Sequence, residues 1–84
     1  MEKKEFVRLM MIARFCDVGK SLDYLAGYQR GLRRTYHGKA FGTEEEHAKY
    51  LSLVDDIDPA RVELGRGYRD GLQGKSIIPL RGEQ

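Results

Sequence analysis

Apolar residues in the first third of the chain recur at spacings of three and four. Phe6, Leu9, Met10, Ala13 and Cys16 share one face, which predicts a helix from Glu2 to Val18 with Gly19 as a left-handed stop. On this pattern Cys16 is a small buried apolar side chain. Ser21 is a fitting N-cap for a second helix, which runs to about Tyr36 or His37 and ends at Gly38. Leu22, Leu25, Tyr28, Leu32 and Tyr36 face one side of it; Arg30, Arg33, Arg34 and His37 face the other. Phe41 stands in the next loop, where a single aromatic anchors the loop to the core. Thr43 and Glu46 form a capping box for a third helix reaching about Val54, with Tyr50, Leu51, Leu53 and Val54 on its apolar side. Asp58 and Pro59, as cap and first helical residue, open a fourth helix carrying Val62, Leu64, Tyr68 and Leu72, which Gly74 can cap. Residues 75–84 form a tail held to the body by Ile77, Ile78 and Leu80, and Pro79 argues against helix there. The predicted fold is all-α, one compact domain over 1–84 of four short helices in two helical hairpins.

One hexapeptide repeats within this frame. Gly27-Tyr28-Gln29-Arg30-Gly31-Leu32 returns as Gly67-Tyr68-Arg69-Asp70-Gly71-Leu72, and both copies read G-Y-x-x-G-L in the second helix of a hairpin. Outside this stretch the halves align poorly, so the echo is a pseudo-repeat. Gly27, Gly31, Gly65, Gly67 and Gly71 all fall inside predicted helices, and each costs roughly 0.8–1 kcal/mol relative to Ala. For a small domain that total is a large share of a net stability of ~5–15 kcal/mol. Gly27 and Gly31 share a face, as do Gly67 and Gly71. Such faces let another backbone approach closely, and the expected use is a tight crossing of the second and fourth helices. A docking face for a partner, or for a second copy of the chain, is the alternative. A phosphate loop is disfavoured, because no strand precedes either copy and no Lys-Ser/Thr follows in the required spacing.

The net charge of +2 conceals an uneven distribution. Residues 1–40 hold nine Lys/Arg against four Asp/Glu, whereas residues 41–60 hold one Lys against six acids. Arg30, Arg33, Arg34 and His37 form a basic stripe, extended by Lys39 and bordered by Tyr36, and its forks suit phosphates or carboxylates. Glu44, Glu45, Glu46, Asp55, Asp56 and Asp58 form the opposite surface, able to imitate phosphates in a basic groove. The two patches could also pair between copies in a homodimer. A solvated helix face and ordinary caps explain the same residues without any function.

Catalytic and metal signatures are weak. Glu44 and His47 share a helix face, but a di-metal bundle needs two such pairs. Asp56-Ile57-Asp58 opens like a calcium loop, then Pro59 follows and Gly67 stands where Glu is required. Cys16 and His37 lack any spacing that would pair them. These patterns predict no enzyme, no metal and no cofactor. One cysteine forms no internal disulfide and suits a reducing cytoplasm. Neither a signal peptide nor a bilayer-spanning segment is expected.

In kind, the chain resembles small accessory proteins of phages and mobile elements, anti-CRISPR inhibitors among them: short, without catalytic signature, a single domain. The resemblance implies a non-enzymatic protein that binds and inhibits a larger protein or nucleoprotein machine such as a CRISPR-type nuclease complex. The basic stripe is the first candidate surface and the acidic segment its rival. A small nucleic-acid-binding regulator using the same stripe is the alternative function.

Overall fold

The computed structural model describes residues 1–78. Four helices are present, α1 (Lys3–Phe15), α2 (Leu22–His37), α3 (Glu44–Ser52) and α4 (Pro59–Leu72), with 3-10 turns at Gly38–Ala40 and Leu53–Asp55. The expected all-α architecture is therefore present. Local signals set most of the boundaries. The Ser21 hydroxyl accepts from the Tyr24 amide at 3.1 Å. Thr43 and Glu46 complete the capping box in both directions, at 3.0 and 3.1 Å. The Asp58 carboxylate accepts from the Ala60 amide at 3.0 Å, just ahead of the first turn begun by Pro59. Gly38 closes α2 and Gly74 follows α4, both at positive φ. At α4 the Lys75 amide reaches the Asp70 carbonyl and the Gly74 amide the Gly71 carbonyl, at 3.1 and 3.0 Å, the two bonds of a Schellman ending.

The first helix departs from expectation at its end. It stops at Phe15, and Cys16 takes an extended cap conformation with its side chain exposed. Helical periodicity no longer governs a residue outside the helix, so Cys16 leaves the buried face of Leu9, Met10, Ile12 and Ala13. Gly19 adopts positive φ in the following loop rather than at the helix end, where its amide donates to Asp17 Oδ1 at 3.1 Å. Leu22 is also misassigned by periodicity. It is 86% exposed, because it is the first residue of α2, two positions before Tyr24, the first residue of that helix to be buried.

The centre of the molecule is the pairing of α2 with α4, which run parallel. A Cβ placed on Gly27 would lie 1.9 Å from the Leu64 carbonyl oxygen, and one on Gly67 would lie 1.9 Å from that of Tyr24. Gly31 and Gly71 meet the Tyr68 and Tyr28 carbonyl oxygens in the same way, each at 2.1 Å. Shifting the contacts of Gly27 and Gly31 by the forty positions of the repeat gives those of Gly67 and Gly71, with Tyr24 in place of Leu64 and Tyr28 in place of Tyr68, so the hexapeptides face one another about a local pseudo-two-fold axis. The Cα hydrogens of the four glycines rest against backbone carbonyls, a geometry suited to weak Cα–H···O contacts. The glycine faces therefore cover each other within one chain and are not free to form a homodimer interface. Gly65 plays a related part on another side of α4, where a Cβ would meet the Leu53 side chain and the Val54 amide.

The rest packs around this pair. α1 lies antiparallel to α2, with Phe6 stacked on Tyr36 at 4.2 Å. α3 lies antiparallel to α4, with Tyr50 stacked on Tyr68 at 4.9 Å. Tyr28 and Leu32 are fully buried, with Leu9 and Tyr68 nearly so, and Ile77 folds back onto this core. Pro79 and Leu80 lie outside the described residues.

Each buried tyrosine of the centre has a partner for its hydroxyl. Tyr24 donates to Asp70, Tyr28 donates to the Lys75 carbonyl, and Tyr68 meets His47 Nδ1 at 2.6 Å. Burial is the largest cause that raises all three above the ordinary tyrosine value of 10.0, with Tyr28 reaching about 12. A raised folded-state value means that the unfolded chain loses its protons first. Stability is then complete below pH 10 and falls as pH rises from 10 through 12. Chemical denaturation at a series of alkaline pH values should show this decline, and phenolate absorbance should show tyrosines that ionise only as the fold is lost. If all five tyrosines titrated near 10 without unfolding, the assignment would fail.

Candidate functional site

The basic stripe and the acidic segment meet inside the chain. Arg34 is predicted on the solvent side of α2, yet it is 8% exposed and packed under the loop between α2 and α3. Its Nη1 donates to the Phe41 carbonyl at 3.1 Å and is 3.5 Å from that of Gly42. Its Nη2 reaches Glu44 Oε1 at 2.6 Å. The guanidinium holds the Glu44 carboxyl below its ordinary value, through the hydrogen bond first and the charge second. Arg30, one turn earlier, pairs with Glu46 at 3.1 Å and lies over the rings of Phe41 and Tyr50, at 5.3 and 4.9 Å.

The physical cause is the capping box. It places the carboxylates of the first turn of α3 at the end of the loop that returns to α2, directly over the two arginines. Two arginines of the stripe are thus paired with two of the six acids of its rival. Arg33 is half-buried and Lys39 exposed, and neither forms an ion pair among the described residues. Tyr36 stacks on Phe6, and the His37 ring lies 5.0 Å from Tyr36 and 5.7 Å from Phe6. Of the acids, Glu45 and Asp55 are exposed, while Asp56 and Asp58 approach Arg61 at 3.7 and 3.9 Å as turn and cap residues. The six acids therefore do not form one continuous free surface.

His47 and Tyr68 add a polar contact beside this cluster, and the space enclosed between α2, α3 and the loop is only about 10 Å³. Among the described residues, no three His, Cys, Asp or Glu side chains gather as a metal site, and no helix is long and apolar enough to cross a membrane.

The most unusual surface lies elsewhere. On the outer side of α1, Val7, Met11 and Phe15 are 42, 54 and 74% exposed. Spaced every fourth residue, they form one ridge over an open apolar hollow of about 620 Å³. A second hollow joins Phe15 to Leu22 and Leu25. The ridge has a cationic collar: Lys3 and Lys4 precede Val7 by four and three residues, and Arg8 and Arg14 flank Met11 by three on either side. Glu2 and Glu5 have no such spacing to any ridge residue. α1 is thus apolar on two sides, one spent on the core and one left exposed among the described residues. These residues are not among the candidates drawn from the sequence. Their signal was a second stripe at helical spacing, masked by the stronger inner one. Comparison with protein-family models, curated proteins and solved structures finds no match to this chain.

Proposed function

We propose that this chain is a non-enzymatic interaction protein that binds and regulates a larger protein through the outer face of α1. The observation that carries the proposal is the ridge of Val7, Met11 and Phe15 inside its collar of Lys3, Lys4, Arg8 and Arg14. Contiguous exposed apolar surface of this kind marks interaction sites. The collar selects the partner: an apolar slot with an acidic rim, which attracts the cations and buries the ridge. A second copy of the chain would bring like charges together, so self-association on this face is disfavoured. The resemblance to phage accessory proteins supplies one class of machine to try, a CRISPR-type nuclease complex whose inhibition would be the regulatory outcome.

The test is photo-crosslinking in a lysate of the source cells, with the crosslinker at position 11 or, as a control, at position 45. A discrete protein adduct is expected from position 11 only, lost when Phe15→Glu is added. Phe15 is exposed, so this change should shift stability by only about 0.5 kcal/mol or less. Equal adducts from both positions, or an adduct indifferent to Phe15→Glu, would remove α1 as the docking face. Binding to anionic lipid vesicles in place of protein would reassign the collar to a membrane surface.

A further inference from the structure

We infer that Arg30 and Arg34 form an anion site that the chain itself occupies with Glu44 and Glu46, and that its external ligand is the phosphate backbone of a single-stranded nucleic acid. This inference is independent of the α1 face. The arginine fork is already built: carbonyls of the loop hold Nη1 of Arg34, which leaves Nη2 directed at whatever anion sits above it. Its side chain is 9% exposed, so its direction is fixed by packing. Arg30 offers a second fork one turn away, steadied by the Phe41 and Tyr50 rings.

The present occupants are replaceable. Glu44 and Glu46 have side chains 66 and 48% exposed, and α3 buries no residue of its own. The Arg30–Glu46 pair is solvent-exposed on both sides and contributes about 0–1 kcal/mol. Glu46 keeps Oε1 on the Thr43 amide while Arg30 swings off Oε2, and the exposed Glu44 carboxylate can turn from the buried Arg34 into water without moving the helix. α3 stays anchored just past its far end, where Leu53 of the following 3-10 turn is buried against Gly65. A strand entering the seat would find Arg33 and Lys39 beside the pair, and aromatic rings at the same place. Cations interleaved with aromatic faces suit a flexible strand, whose bases can stack, better than an acidic peptide.

The experiment measures binding of a labelled oligothymidylate at low salt. Glu44→Gln with Glu46→Gln should bind about tenfold more tightly than the native chain, with affinity falling as salt rises. Glutamine at position 46 retains the capping box. Glu45→Gln with Asp55→Asn makes the same change in net charge away from the two arginines and should bind like the native chain. Adding Arg33→Gln to the first variant should weaken binding and reduce the salt slope by about one. Equal gains in the two double variants would reduce the effect to net charge and overturn the site. So would displacement of the oligonucleotide by an equally charged polyglutamate peptide. Should the first variant not fold, the native chain decides: titration with the oligonucleotide must perturb the guanidinium resonances of Arg30 and Arg34 before those of Arg61 and Arg66, and the reverse order refutes the inference.

Discussion

Gly67→Ala is expected to lower the melting temperature by roughly 12–24 °C, the consequence of a loss of about 3 kcal/mol in a domain of this size. Helix propensity alone predicts the opposite sign, since Ala in a helix is favoured over Gly by roughly 0.8–1 kcal/mol. The tertiary contact decides. The added Cβ would stand 1.9 Å from the Tyr24 carbonyl oxygen and 2.8 Å from the Tyr28 amide. Both are backbone atoms inside α2, and neither can rotate aside as a side chain would. Relief requires α2 and α4 to separate, and the contacts are reciprocal, so separation at Gly67 also loosens Gly27, Gly31 and Gly71. Gly27→Ala should behave alike, because its Cβ meets Leu64 and Tyr68 in the same geometry. Gly31→Leu should be worse, with a larger side chain forced against the Tyr68 carbonyl. Thermal unfolding followed by circular dichroism checks all three. An unchanged or raised melting temperature in Gly67→Ala would show that the close approach is absent.

The second large effect belongs to Arg34. Arg34→Met keeps the unbranched apolar stem of the side chain and removes every donor, and it should cost about 2–3 kcal/mol, or roughly 8–24 °C in melting temperature. The carbonyl of Phe41 then loses its partner, and Glu44 loses the cation that seats the first turn of α3. Arg34→Lys should recover only part of the loss, since one ammonium cannot serve the loop carbonyl and the carboxylate with the fixed fork of a guanidinium. The pair also sets a pH signature. Because the folded Glu44 value is lowered, its contribution is present above the ordinary value of 4.5 and lost as pH falls through the lowered one. Between those limits the native chain should lose stability on acidification through this group, and Arg34→Met should lack that component. Denaturation curves at a series of acid pH values make the comparison. An Arg34→Met variant as stable as the native chain would mean that the loop is held without it.

The two effects separate what was legible in the chain from what was not. Caps and stops depend on a few neighbouring residues, and Ser21, Thr43 with Glu46, Asp58 with Pro59, and Gly38 act where their local chemistry places them. The expense of glycine inside helices was equally legible, and close packing is what offsets it. Cys16 and Leu22 were misplaced because periodicity carries no information about the residue at which a helix stops or first meets a neighbour. The outer ridge of α1 is not legible in the chain, because an apolar residue on a helix reads as core until the neighbours are known.

The sequence by itself determined four helices, their caps and the pairing of two glycine faces, since each follows from interactions within a few residues or from a cost that only close packing offsets. The tertiary structure decided which charges are free. Arg30 and Arg34 share a stripe with Arg33 and His37, and nothing in their spacing distinguishes them. The difference arises because the parallel pairing of α2 with α4 brings the chain back through α3, whose capped first turn lays Glu44 and Glu46 over those two arginines. Among the described residues the same arrangement leaves Val7, Met11 and Phe15 exposed, because α1 is an outer helix that packs chiefly on α2.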